Sequence, residues 1–297
     1  MSIPHDNTAA PETGRLSLFE CPAWHADDHQ AAFSAFCRTP DDPLSGVARC
    51  AGDARVFFET HFDPGPMGTG DFTGYYEPEI DGSLTRSDTF PVPLHTMPQG
   101  GCDLPRSDMD AALRGSEILW VRDEVDRFFL QVQGSGRIRL ADGKTLRAGY
   151  AGKTDQPYLS IGKLLIERGI FGPDITADAL KTWLRADPER GRAVMSENPS
   201  YVFFTVRDDA SDVGPLGTLG CPVSAGRTIA VDPDHIPLGS PVWIEVDGMA
   251  RLCIAQDTGS AIKGAGRVDL FFGTGEGAGL AAGRLNHAGR VTPLMRR

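Results

Sequence analysis

Four runs in the last third of the chain, SYVFFTV, RTIAVD, PVWIEV and RLCIAQD, are rich in β-branched and aromatic residues and are bounded by Gly and Pro. Apolar runs this short, cut off this regularly, read as strands rather than helices. The same punctuation recurs throughout the chain, which holds 35 Gly and 22 Pro among 297 residues. Gly supplies positive φ and Pro presets φ for turns, so the count points to a β-rich fold of short strands.

The rest of the chain alternates in character. Residues 26–38 (ADDHQAAFSAFCR) let Ala31, Phe33, Phe36 and Cys37 share a helix face, and residues 43–62 read as a second helix containing glycines. Between 72 and 157 the period shortens: FTGYYEPEIDGS, FPVPLHTM, EILWVRD, RFFLQVQGSGRIRLADG and TLRAGYAG read as strands. That reading sets Gln131 and Gln133 on one strand face before Gly-Ser-Gly. RIRLADGKTLRAGY reads as a hairpin turning at Asp-Gly. Helices follow at 158–169 with Ser160 as N-cap and Gly169 as stop, at 176–186 capped by Thr176, and at 188–198 opened by Pro188. The order is helical, β, helical, β, within a length suited to about two domains. Residues 1–15 are polar and are expected to form a disordered leader.

The formal net charge is −11. An acidic chain with no Lys/Arg patch repels phosphate backbones, which excludes a nucleic-acid partner. No apolar stretch reaches transmembrane length, and the N-terminus lacks the apolar core of a signal peptide. The histidines are scattered without ligand spacing, so neither a metal nor any other cofactor is expected. The six cysteines, at 21, 37, 50, 102, 221 and 253, include no C-x-x-C pair. Their even number fits disulfides in an oxidising compartment as well as buried thiols. Cys37 and Cys50, flanking a short loop between two expected helices, are the candidate bridge.

The acids of the C-terminal block carry the chemistry. Asp257 opens Asp-Thr-Gly-Ser, the tetrad of aspartic proteases, but those enzymes need two such carboxylates and this chain has one. A strand-ending turn accounts for Asp257 equally well. Asp269 lies between Val268 and Leu270 in RVDLFFG and, by alternation, shares a side with Phe271. An aromatic neighbour would desolvate the carboxyl and raise its pKa, as a general acid requires. The alternative is an exposed acid on an edge strand. Asp232 ends another strand, before Pro233.

Six motifs in order carry a family resemblance: FTGYYEP (72–78), FFLQVQGSGRIRLADG (128–143), AGYAGKTDQPYLSIGKLLIERG (148–169), ENPSYVFF (197–204), TIAVDPDHIPLGSPVWIEV (228–246) and DTGSAIKGAGRVDLFFG (257–273). Together they closely resemble the membrane-bound lytic murein transglycosylase A (MltA) family. The last element also resembles the 3D domain, whose three aspartates align with Asp232, Asp257 and Asp269. The resemblance implies a mainly β fold with flanking helices. It consists of a double-psi β-barrel from 16–81 and 203–297, a smaller β-domain inserted at 82–202, and a glycan groove between them. It implies cleavage of the β-1,4 bond between N-acetylmuramic acid and N-acetylglucosamine in peptidoglycan, leaving 1,6-anhydromuramoyl ends. Asp269 would act as acid and then base, and Asp257 would shape its field. Tyr75, Tyr76, Gln133, Lys263 and Asp232 would contact substrate or support the groove. The implied setting is the periplasm, with an outer-membrane association, although no lipid-attachment cysteine follows an apolar segment here. The expected partners are glycan strands and proteins of wall synthesis or division, and the expected state is a monomer. Ser260 stands where family members often have Gly. A non-catalytic glycan binder and a true hydrolase are the competing readings.

Overall fold

The computed structural model describes residues 17–48, 52–208 and 213–297. Four short helices lead in: α1 (Pro22–Ala26), α2 (His29–Phe36), α3 (Ser45–Ala48) and α4 (Ala54–His61). Asp28 caps α2 by accepting from the Ala31 N–H, and Asp53 caps α4 by accepting from the Val56 N–H. Where a single helix over 43–62 is expected, the structure has α3 and α4, and Asp53 in extended conformation starts the second as its N-cap. Trp24, Phe33, Phe36, Phe57, Phe58 and Phe62 pack with Trp243, Leu252 and Ile254 into one buried cluster. Each such side chain contributes about 1.5–3 kcal/mol on full burial, so this cluster docks the helices firmly on the sheet beneath.

Strands β1 (Phe62–Pro64) and β2 (Gly68–Glu77) follow, and after Pro78 the chain enters a second sheet at β3 (Glu79–Ser83). That unit continues through β4 (Val92–His95), α5 (Met109–Ala112), β5 (Glu117–Val121), α6 (Glu124–Gln133), β6 (Gly136–Arg139) and β7 (Thr145–Lys153). Helices α7 (Ile161–Glu167), α8 (Ala177–Ala186) and α9 (Pro188–Ser196) precede β8 (Val202–Arg207). The strand order is β4-β5-β3-β6-β7-β8. The chain then returns to the first sheet with β9 (Thr228–Val231), β10 (Pro241–Val246), β11 (Met249–Asp257), β12 (Arg267–Thr274), α10 (Glu276–Arg284) and β13 (Asn286–Arg296).

The first sheet runs β1-β13-β10-β11-β9-β12-β2, and β13 also pairs with β2. Six strands thus close into a barrel, the double-psi barrel implied by the resemblance, with β1 as an outer addition to β13. Closure removes exposed strand edges. Val268, Leu270, Ile229, Val231, Ile244, Val246 and Phe72 fill its interior. The pairs β2–β12 and β9–β11 are parallel.

Two further elements depart from the sequence reading. RFFLQVQ is helical, not a strand: Asp123 caps α6 by accepting from the Asp126 N–H, and Gly134 ends it at φ 83°. A short apolar run bounded by a cap and a Gly fits either element, and packing of Val125 and Phe128 against Ile161, Leu165, Leu180 and Leu184 selects the helix. Gln131 and Gln133 consequently do not share a strand face; Gln131 is buried while Gln133 is half-exposed. Helix α10, not anticipated in a stretch with three internal glycines, forms because it lies flush on β2: a Cβ at Gly279 would come within 2.8 Å of the Tyr76 ring. Cys50 and the 1–15 leader lie outside the described residues, and the Cys37–Cys50 pairing with them. Cys21, Cys102, Cys221 and Cys253 are free thiols.

The junction between the sheets is ionic. Glu77, fully buried at the end of β2, accepts from Arg137 Nε (3.1 Å) on β6 and Arg147 Nε (2.7 Å) on β7. It also accepts from Thr274 Oγ1 (2.8 Å) at the end of β12.

Candidate active site

Strands β2 and β12 lie side by side in parallel, with Thr73 opposite Asp269 and Tyr75 opposite Phe271. Alternation sends Val268 and Leu270 into the barrel and turns Asp269 outward, on the side that carries Phe271. Thr73 Oγ1 donates to Asp269 Oδ1 at 2.6 Å, and Arg267 Nη2 donates to Thr73 Oγ1 at 2.7 Å. Burial pushes the Asp269 carboxyl up to about 6, against the opposing effects of the Thr73 bond and the Arg267 charge; the Asp257 charge adds to the rise.

Asp257, at the end of β11, has a different environment. Its Oδ1 accepts from the Thr218 N–H (2.9 Å), the Thr218 hydroxyl (3.0 Å) and the Thr258 N–H (2.9 Å). Its Oδ2 accepts from Tyr75 OH at 2.8 Å. Burial raises this carboxyl too, but these donors oppose the rise and favour the charged form. The Tyr75 phenol is pushed well up by burial and by Asp257, so it stays a donor. Two acids close in the fold thus differ in hydrogen bonding: among the described residues Asp257 has four donors and Asp269 a single one. Such separation is how enzymes assign distinct acid–base roles.

Asp269 and Tyr75 line one wall of a cleft of about 250 Å³. The unit built on the second sheet lines it as well, with Arg106, with Gln131 and Gln133 of α6, with Lys153 of β7, and with Tyr158 and Asn198, and so does the Gly259–Ile262 loop. Gln133 reaches across the junction, its Oε1 accepting from the Tyr76 N–H at 3.1 Å. Gln131 holds its own wall together, donating to Val202 O at 2.9 Å and accepting from Arg106. Ser260 also lines the cleft.

Tyr76, Lys263 and Asp232 do not line it. Tyr76 turns its ring toward Gly279 on α10. Lys263 is exposed and contacts Asp232 at 3.4 Å. Asp232 is buried at the end of β9 and accepts from the Gly264 N–H at 2.8 Å, pinning the loop that follows the Asp-Thr-Gly turn. The Gly264 bond is the main reason its carboxyl is held below the usual range. Sequence reasoning missed Thr73, Thr218, Arg106, Lys153 and Arg267. Alternation along FTGYYEP pairs Thr73 with Tyr75, a signal that was legible. Thr218 sits in Gly-Thr-Leu-Gly, where nothing local marks it. Among the described residues no group of three His, Cys, Asp or Glu could hold a metal ion, and no helix is long and apolar enough to cross a membrane.

Comparison with known proteins agrees with this architecture. Residues 71–112 and 103–205 match the MltA specific insert domain, and residues 227–295 match the 3D domain. The chain is 35% identical over 269 residues to membrane-bound lytic murein transglycosylase A of Vibrio cholerae, covering 82% of this chain and 72% of that protein. The crystal structure of a membrane-bound lytic murein transglycosylase from Agrobacterium tumefaciens superposes with a TM-score of 0.86 at 30% identity, covering 95% of this chain and 97% of that one. The structure of Escherichia coli MltA with bound chitohexaose gives 0.78 at 29% identity, covering 91% and 89%. By barrel, by inserted sheet and by identity along most of its length, the chain belongs to the membrane-bound lytic murein transglycosylase A family.

Proposed function

We propose that Asp269 is the single acid and base of a peptidoglycan lytic transglycosylase. The enzyme cleaves the β-1,4 bond between N-acetylmuramic acid and N-acetylglucosamine. The carrying observation is the contrast at the cleft: Asp269 faces it desolvated with one hydrogen bond, while Asp257 is held away from it by four. Protonated Asp269 gives its proton to the leaving glycosidic oxygen as the bond to C1 breaks. The resulting carboxylate takes the proton of the muramoyl C6 hydroxyl as that oxygen bonds to C1. Proton and electron pairs balance, no water enters, and the product ends in a 1,6-anhydro ring. An intramolecular nucleophile brings a high effective molarity, so no second carboxylate is needed to activate water.

The Asp257 charge helps keep Asp269 protonated, and Tyr75 fixes that charge in place. Gln133 and the Gly259–Ile262 loop bound the space a sugar would occupy. The glycan in the Escherichia coli relative supports reading the cleft as a groove between two domains, 16–81 with 203–297 and 82–202. A periplasmic site of action, with an outer-membrane association, follows from the membrane-bound relatives. Action as a monomer, beside proteins of wall synthesis or division, belongs to the same proposal.

Mass spectrometry of products from purified peptidoglycan tests the reaction. Anhydromuramoyl ends are expected; reducing ends, one water heavier, would make the enzyme a hydrolase. Binding without release would leave only a glycan-binding protein.

A further inference from the structure

The two oxygens of the Asp269 carboxyl have different surroundings. Oδ1 faces the Thr73 hydroxyl at 2.6 Å. Oδ2 has no donor among the described residues, yet it is not sealed in the interior. A hydroxyl can donate to a carboxyl oxygen or, turned round, accept a proton from it. In the second arrangement the acid proton would point at Thr73 instead of at a glycosidic oxygen. An acid that must act through one oxygen therefore needs the direction of the Thr73 hydroxyl to be fixed.

Arg267 stands two residues before Asp269 on β12, on the same side of the strand and opposite Asp71 of β2. Its Nη1 donates to Asp71 O (3.1 Å) and Val268 O (3.0 Å), which anchors the guanidinium across the strand pair. Its Nη2 donates to Thr73 Oγ1 at 2.7 Å. A guanidinium has five donors, no acceptor, and keeps its proton. Thr73 can therefore only accept from Arg267, and its single hydrogen has one acceptor among the described residues, Asp269 Oδ1. The arrangement has a cost, because the Arg267 charge favours the ionised form of the acid beside it. Gln, Ser or His in that place would avoid the cost, but each can also accept, so the Thr73 hydroxyl could reverse. Arginine cannot reverse.

We propose that Arg267 is a positioning residue that locks the direction of the Thr73 hydroxyl, so that Asp269 carries its acid proton on Oδ2 and uses that one oxygen in both halves of the reaction. This rests on the acid–base reading of Asp269 above and deepens it by naming the oxygen and the residue that selects it. Oδ2 gives its proton to the leaving oxygen and takes one back from the C6 hydroxyl. Thr73 and Arg267 keep theirs throughout. A simple staple between β2 and β12 would act alike with or without the Thr73 hydroxyl.

The test is a double-mutant cycle on cleavage of purified peptidoglycan, with kcat read on the plateau below the alkaline limb. Arg267→Met is expected to lower kcat about tenfold with KM held within about twofold, and Arg267→Lys, also a pure donor, to stay within about threefold of the parent. In a Thr73→Val background Arg267→Met should change kcat by less than about twofold, because the hydroxyl it directs is gone. The limb itself should move up in both backgrounds, since the lost charge acts through space. An equal fall in kcat in both backgrounds, or none in either, overturns the proposal. Tm is measured for every variant. If Arg267→Met does not fold, Arg267→Gln takes its place in the cycle and is judged by the same dependence on Thr73. Asp269→Asn is assayed alongside. Near-parent cleavage by that variant sinks the acid–base reading and this inference with it. Loss of cleavage there, with an additive cycle, overturns the role of Arg267 alone.

Discussion

Thr73 stands directly across from Asp269 on the parallel neighbour strand, and among the described residues its hydroxyl is the one donor to that carboxyl, at 2.6 Å. A donor to the charged form lowers a carboxyl pKa. Thr73→Val keeps the shape and removes the donor, so Asp269 should hold its proton to higher pH. The alkaline limb of the kcat/KM profile, expected near pH 6 in the parent from the value of about 6, should move up by roughly half to one unit. A shift in the other direction would show that Asp269 is not the titrating acid.

Asp269→Asn removes the proton donor and should lower cleavage by about a thousandfold or more while leaving glycan binding in place. The same change should stabilise the fold at neutral pH. The folded carboxyl is raised to about 6, above its unfolded range, so folding favours the protonated form. Below about pH 4 the group is protonated in both states and costs nothing. As pH rises through 6, stability is lost to the buried charge. The variant should therefore match the parent at pH 4 and exceed it above pH 6 by roughly 1–3 kcal/mol. Denaturant midpoints at the two pH values decide it.

Tyr75→Phe deletes one of the four donors on Asp257 and leaves the ring against Phe271. The fold should lose only about 0.5–1.5 kcal/mol, because three donors remain. Activity should fall by roughly 10- to 100-fold, since the charge beside the acid is no longer held in place. Equal, small losses in Tm and in kcat would reduce Tyr75 to a packing residue.

Glu77→Ala leaves Arg137 and Arg147 without this carboxylate at the junction of the two sheets. Breaking a buried ion cluster by removing one partner costs about 3–5 kcal/mol. Because Glu77 and Thr274 end the two strands that carry Thr73 and Asp269, the loss should widen the cleft as well as lower Tm. Thermal unfolding gives the stability change, and affinity for chitohexaose gives the cleft change. A variant with lowered Tm and unchanged affinity would mean the cluster stabilises without setting the groove.

Much of this protein is local and could be read from its residues. Ser160 and Thr176 cap the helices they were expected to cap, by accepting from the Lys163 and Ala179 N–H groups, because an N-cap depends on residues within one turn. The hairpin around Gly143 forms for the same reason. The outward turn of Asp269 followed from alternation in RVDLFFG alone, and the six ordered motifs carried the family. What lies beyond one turn of chain was out of reach. RFFLQVQ is apolar enough for a strand, and only its packing on α7–α9 makes it a helix. The glycines of α10 weaken it in isolation and become useful only where Tyr76 presses against it. The acid's environment is the clearest case. Its partner Thr73 is 196 residues away, and the four donors that set Asp257 apart include Tyr75 and Thr218 from distant segments. Sequence by itself determined which residues could do acid–base chemistry. Desolvation and hydrogen bonding decided which of them would, and both depend on what the folded chain brings together from far along its length.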